Sequence, residues 1–274
     1  MSELAVPLGP VAGPRRWERY SSGQRLARYA LWLVLVAAIV QSVRTIEIIP
    51  EFLLDAHVQM ADLLGRMWPP DLAYYPKSVH AALMETLHIA SLGTLLSIVL
   101  ALPLALLVAP NLMPNRLVNL LARIVLVSSR SVNSLVWALL FVAVFGPGPL
   151  AGTLAIAFRS IGFVGKLLGE AIEQTPRGPI EALEAAGAGW FARIGYGYWP
   201  QVKPAFASIA LLRWDINVRE SAVLGLVGAG GIGMVLDTAM NLFQWDRVAT
   251  VLLAIFTVVV LAEVVVTQVR KRVL

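Results

Sequence analysis

Between Glu85 and Arg116 the chain carries no formally charged side chain. A helix over that stretch, rising 1.5 Å per residue, outreaches the ~30 Å hydrocarbon core of a bilayer. Pro103 lies inside the run and should kink it, which membrane helices tolerate when neighbours satisfy the freed carbonyl. Only 14% of the 274 residues are charged and 58% are hydrophobic, against about 25% charged in soluble domains. So few charges leave no polar shell for a water-soluble fold. The expected class is an all-α integral membrane protein.

The rest of the chain parses into further spans and short polar connections. Residues 1–28 form a polar tail with Arg15, Arg16, Arg19, Arg25 and Arg28, followed by an uncharged run from Tyr29 to Val43. A secretory leader has the same order of features. The basic region is too long for one, however, and no small-x-small cleavage site follows, so 29–46 reads as a first membrane helix. Residues 47–80 hold Glu47, Glu51, Asp55, Asp62 and Asp71, with Trp68, Tyr74 and Tyr75 suited to a membrane interface. They read as an extracytoplasmic loop. A second span is expected at 82–109, then a short turn and an interfacial amphipathic helix over 110–130 with Arg116, Arg123 and Arg130. A third span, 132–146, stops at Gly146-Pro147-Gly148-Pro149, and a fourth covers 150–170. A polar interlude fills 171–200. A fifth span runs over 204–228, a connection over 234–247, and a sixth span over 248–267 before Arg270-Lys271-Arg272.

Six spans test themselves against charge. With the basic tail 1–28 inside, the loops at 110–130 and 171–200 and the tail 270–274 also fall inside, while the acidic loop 47–80 falls outside. Lys and Arg in short loops mark the cytoplasmic face, so both termini are expected in the cytoplasm.

Several chemistries are disfavoured by residue type alone. There is no cysteine, hence no disulfide or thiolate site, and His57, His80 and His88 form no HxxxH or HExxH pair. No metal site is expected. Gly165-Lys166 is not a nucleotide-binding loop, because Ser160 stands where the first glycine is required and Leu167 follows the lysine. Gly228-Ala229-Gly230-Gly231-Ile232-Gly233 matches GxGxxG literally, but it lacks the strand before and helix after in a βαβ unit. Gly228, Gly230, Gly231 and Gly233 read instead as close-packing or gate glycines.

The polar interlude is EALEAAGAGWFARIGYGYWP, Glu181 to Pro200. Pro179 suits the first turn of a helix, and Glu181 and Glu184 favour its positive end. Ala182, Ala185, Ala186 and Gly187 present a smooth surface that another protein could approach closely. Glu181, Gly187 and Pro200 are spaced like the "EAA" loop of ABC importer permeases. From about Thr86 onward the chain resembles the phosphonate-importer permease (PhnE) family of type I ABC importers. Trp137–Phe158, Lys166–Glu173, Gly195–Pro204 and Ile216–Gly233 (INVRESAVLGLVGAGGIG) carry the likeness. Departures stand at Gly197 and Trp199, where an Ile-x-Leu is usual, and at Asn133-Ser134, where relatives often carry Pro-Glu.

The resemblance implies a methionine-permease-like fold with an ABC transmembrane type-1 domain over 81–269. Its coupling loop, 177–200, would be gripped by a cytosolic ATPase. It also implies a homodimer, two ABC ATPase subunits binding ATP and Mg outside this chain, and an extracytoplasmic phosphonate-binding protein. Residence in a bacterial inner membrane is implied as well, with no nucleic acid involved. The cargo implied is a phosphonate or a phosphorus oxyanion such as phosphite. Permeases for methionine, sulfonate or another oxyanion remain open, as does an ATP-independent secondary carrier or an integral membrane enzyme.

Charges inside the fifth span cost on the order of 3 kcal/mol each at mid-bilayer unless they face a partner or a cavity. Arg213, Asn217 and Glu220 share one helical face, and Asp215 and Arg219 are spaced for an ion pair at i, i+4. Two readings stand side by side. In one, Asn217 and Arg219 line the translocation path or gate; in the other, the group is a structural network fixing the bundle. Arg159 and Lys166, seven apart on the fourth span, could form a positive vestibule. A buried partner for Arg159 with Lys166 snorkelling to the interface is the competing reading. His88, Ser91 and Thr94 are expected mainly as packing groups.

Overall fold

The computed structural model describes residues 20–46 and 50–273, and every regular element among them is helical. The chain divides into two units, 1–61 and 62–274, with the boundary inside a helix.

In the first unit α1 spans Ser22–Thr45. Ser21 caps it reciprocally: its hydroxyl accepts from the Gln24 N–H at 3.4 Å, and the Gln24 side chain accepts from the Ser21 N–H at 3.2 Å. No residue of α1 is buried, and Leu33, Ile39 and Val43 stand exposed. A helix apolar all round belongs in lipid, as expected for 29–46; it starts about two turns earlier because the cap lies at Ser21. α2, Pro50–Met67, is amphipathic and crosses the unit boundary, so the 47–80 connection contains a helix of its own.

The second unit is a bundle built on two long apolar helices. α3, His80–Val108, follows a π-helical turn at Tyr75–Val79 and continues through Pro103. α6, Pro149–Glu173, is the most enclosed span, with 56% of its apolar window buried against 28% for Tyr75–Val108. Small residues let the two approach: Gly93 lies against Ile156, and Gly169 against Val108. α9, Trp199–Leu224, and α11, Trp245–Val273, complete the bundle. Leu92, Leu95, Val99, Phe256 and Leu261 point outward. In water that surface would aggregate, but against acyl chains it is the required surface.

Two expected elements come out differently. α4, Arg116–Ser131, and α5, Ser134–Phe145, meet at 89°. α5 has 12 residues, about 18 Å of helix, too short to cross alone, so the expected third span at 132–146 is one arm of a bent pair, a broken span or a re-entrant loop. Nor does α4 run along the membrane surface. The Asn119 amide donates to the Val108 carbonyl at 2.5 Å, and Val108 packs on Gly169 near the end of α6. Ten residues on, the Ser129 hydroxyl donates to the Phe158 carbonyl and accepts from the Gly162 N–H at 3.2 Å. Ten residues of α4 therefore track eleven of α6, and α4 climbs beside that span. The reason is Gly162 and Gly165, which open α6 to the Leu126 carbonyl and side chain.

The 234–247 connection likewise holds a helix, α10, Ile232–Asn241, bent by 42° from the helical run ending at Val227. By length and composition the chain has four crossing helices, or up to six if each bent pair is one span.

Candidate functional site

The polar interlude folds as a helix-turn-helix. α7, Gly178–Ala185, has Pro179 in its first turn and Glu181 at its positive end. It ends on a Schellman motif. The Ala188 N–H donates to the Leu183 carbonyl at 2.9 Å and the Gly187 N–H to the Glu184 carbonyl at 3.0 Å, with Gly187 at φ +76°. The glycine of the Glu181–Gly187–Pro200 spacing is therefore the residue that stops this helix. A short helix, α8, Trp190–Ala192, and a π-helical turn, Arg193–Tyr198, lead into α9, with Pro200 in its first turn. Glu184 pairs with Arg193 across the turn. Gly197 packs closely against Ile180 and Leu183, which would lie 3.4 and 3.2 Å from a Cβ placed there. Ile180 and Tyr198 join α3 and α6 residues in one core, which seats the loop on the bundle. Glu181, Ala182, Ala185, Ala186 and Gly187 are exposed.

The fifth-span charges join a network linking α3, α6 and α9. Glu220 pairs with Arg159 of α6 and with Arg213 one face-repeat earlier at 3.3 Å. Arg213 Nε donates to the Ser160 hydroxyl at 2.8 Å, and its guanidinium stands 5.4 Å over the Phe163 ring. Asn217 has no exposed surface; its amide donates to Thr94 Oγ1 at 2.7 Å and its carbonyl oxygen lies 3.2 Å from Ser160 Oγ. On the other face Arg219 meets Asp215 at 2.5 Å and reaches Glu263 of α11 at 3.9 Å. Burial separates these residues. Arg213, Asp215 and Asn217 are enclosed within the protomer, while 47% of the Arg219 side chain remains open.

The partner for Arg159 is thus Glu220, and Lys166 pairs with Glu170 at 3.3 Å in a half-exposed position. Ser91 and Thr94 accept from Trp214 and Asn217 across the α3–α9 contact. Pattern reading did not couple α6 to α9 through Glu220, because helical periodicity says which residues share a face and not which helix that face meets.

The glycine block after α9 is a folded turn. Gly228, Gly230 and Gly231 all adopt positive φ, at +83°, +85° and +75°, a region open to glycine at little cost. The Gly231 N–H donates to Glu85 Oε1 at 3.0 Å and the Ile232 N–H to Thr86 Oγ1 at 2.7 Å. Gly225 and Gly233 touch backbone to backbone. α3 thereby satisfies the first amides of α10, and the turn is anchored between the N-terminal ends of α3 and α6.

A bundle of lipid-facing spans with a polar helix-turn-helix loop and an internal ion network is the architecture of a membrane permease. The family profile for the inner membrane component of binding-protein-dependent transport systems matches residues 101–274. The chain is 40% identical over 219 residues to the phosphite transport system permease protein PtxC of Stutzerimonas stutzeri, covering 80% of this chain and 79% of that one. It is 36% identical over 234 residues to the phosphate-import permease protein PhnE of Mycolicibacterium smegmatis, spanning 85% of this chain but 44% of that longer protein. In backbone it is similar to the inward-facing MetNI methionine ABC transporter, with a TM-score of 0.62 over 72% of this chain and 96% of that chain at 21% identity, a likeness of fold. This chain belongs to the family of inner membrane components of binding-protein-dependent transport systems.

Proposed function

We propose that the protein is the membrane-spanning subunit of an ATP-driven importer for a phosphonate or a related phosphorus oxyanion such as phosphite. One observation carries the cargo class: 40% identity to a phosphite transport permease across four-fifths of the chain. Two copies would pair with two ATPase subunits, which bind ATP and Mg, and an extracytoplasmic binding protein would deliver the anion. Both termini lie in the cytoplasm in this reading, following the basic residues of the tails and of the 177–200 loop.

The exposed small-residue face of α7, Ala182, Ala185 and Ala186 with Glu181 and Gly187, is the surface an ATPase groove would hold. ATP binding closes the ATPase pair and draws the two loops together, and the seating of Ile180 and Tyr198 on α3 and α6 transmits that motion to the bundle. Hydrolysis resets it. Among the candidate path residues, Arg219 is open and faces the path, whereas Arg213, Asn217, Glu220 and Arg159 hold the wall behind it. Gly228, Gly230, Gly231 and Gly233 form the hinge of an outer gate.

The test is uptake into liposomes by the permease assembled with its ATPase and binding protein. Methylphosphonate, phosphite, phosphate and a sulfonate are offered with and without ATP. ATP-dependent uptake of a phosphorus compound, with the sulfonate excluded, is expected. Uptake indifferent to ATP would overturn the importer reading, and preference for the sulfonate would overturn the cargo class.

A further inference from the structure

Arg116, Arg123 and Arg130 recur every seven residues on α4, two turns apart, so they form one stripe. α4 climbs beside α6, and this places the last of them deep. A Cβ built on Gly162 would lie 3.1 Å from the Arg130 Cβ. Gly162 stands thirteen residues into the 25-residue α6, roughly 20 Å from its outer end at 1.5 Å per residue. A guanidinium at that depth costs about 2.5–3.5 kcal/mol on insertion scales unless it meets water or a counter-charge.

Arg130 is exposed and is joined to no acidic group in the described residues, although the negative end of α4 favours a cation there. It borders a cavity of about 240 Å³ shared with Arg123, Lys166, Glu170, Glu173 and Val127. That volume holds several waters at ~30 Å³ each, enough for a small hydrated anion. Within it Lys166 is answered by Glu170 at 3.3 Å. Arg123 donates through Nε to Asn119 at 2.8 Å, a neutral partner. Glu173 is the remaining facing acid. The lining therefore carries three cations against two carboxylates.

We propose that this cavity is an anion-staging site on the transport route, in which Arg130, with Arg123 and Lys166, transiently holds a tetrahedral phosphorus oxyanion between the inner end of α4 and mid-bilayer. The proposal rests on the importer reading above for its cargo. Glu170 and Glu173 keep the affinity low: they hold the cations when the site is empty and compete with the anion when it is filled, so cargo leaves again. A phospholipid headgroup offers the same phosphate chemistry, and the test separates the two.

Because the chain has no cysteine, Val127→Cys places a single thiol in the cavity wall. In liposomes of phosphatidylcholine, an anionic methanethiosulfonate should label it several-fold faster than a cationic one, and millimolar phosphite should slow labelling. Adding Arg130→Gln should remove most of both effects, while Arg130→Lys keeps them. In the assembled transporter Arg130→Gln should lower phosphite uptake about tenfold with binding-protein-stimulated ATP hydrolysis retained.

Equal labelling by the two reagents, or uptake unchanged in Arg130→Gln, would overturn the site. Labelling slowed by phosphatidylglycerol and not by phosphite would assign the cavity to lipid and overturn it as a cargo site. Parallel loss of assembly, hydrolysis and uptake would make Arg130 structural. If the wild-type transporter imports no phosphorus oxyanion while labelling still shows phosphite protection, the importer reading fails and the anion site stands.

Discussion

Glu220→Gln is the most informative perturbation of the bundle, because one carboxylate answers two guanidiniums on different helices. Glu220 pairs with Arg159 of α6 and with Arg213 of α9, whose side chains are 30% and 4% exposed. Breaking a buried pair from one side costs about 3–5 kcal/mol, because the remaining charge is stranded. Arg213 is fully in that regime. Arg159 is partly hydrated and accounts for about 1 kcal/mol of the loss, which is expected to total about 3–4 kcal/mol. At 2–4 °C per kcal/mol for a chain of this size, the melting temperature in nanodiscs should fall by roughly 6–16 °C. The second half of the test is Glu220→Gln combined with Arg159→Gln. That variant strands one guanidinium instead of two, so it should melt several degrees above Glu220→Gln alone. Scanning fluorimetry on the purified permease reads both. A single variant melting within a degree of wild type would refute the coupling, and a double variant no better than the single would refute the shared-carboxylate argument.

Other perturbations separate packing from coupling. Gly187→Ala meets open space, so only its φ of +76° penalises it, about 1–2 kcal/mol; insertion and melting should change little while ATP-driven uptake is lost, and normal uptake would refute the role of the loop. Gly225→Ala brings a Cβ to 2.5 Å from the Gly233 Cα and 2.6 Å from the Gly230 carbonyl oxygen. Backbone atoms cannot yield as side-chain tips do, so a loss at or beyond the ~1–3 kcal/mol of overpacking is expected, read as a lower melting temperature in detergent. Thr86→Val keeps the shape of the side chain but removes the acceptor for the Ile232 N–H, leaving a buried donor unpaired at about 1–3 kcal/mol. Amide exchange at Ile232 should then quicken by about tenfold or more, and an unchanged rate would show that another acceptor serves it.

Local signals in the chain were sufficient for several features. The uncharged run after Glu85 had one physical outcome, a membrane helix, because no other element buries every backbone group within itself. Pro179 and Glu181 announced the start of α7, since capping is set by neighbours three and four residues away, whereas the stop at Gly187 emerged from its positive φ and the Schellman bonds. Asp215 and Arg219 paired as their spacing required. The misjudged elements share a cause. α4 looked interfacial because its apolar and basic faces are what a surface helix shows, and α5 looked like a full span because it is apolar throughout. What distinguishes them is Gly162 and Gly165 on a different helix, which admit Leu126 and Ser129 into the side of α6.

The order of apolar spans, the polar loop between the fourth and fifth, and the caps that delimit them follow from the sequence by itself, because each depends on one helical turn or on transfer between water and hydrocarbon. Three things were decided only by tertiary structure: that Glu220 answers Arg159, that Asn217 is sealed between Thr94 and Ser160, and that Arg130 lies against Gly162 of α6 beside a cavity. Each needs two helices brought to a particular depth and rotation. In a bilayer that choice is made by how closely small residues let backbones approach, a property of the pair of surfaces and of neither sequence segment alone.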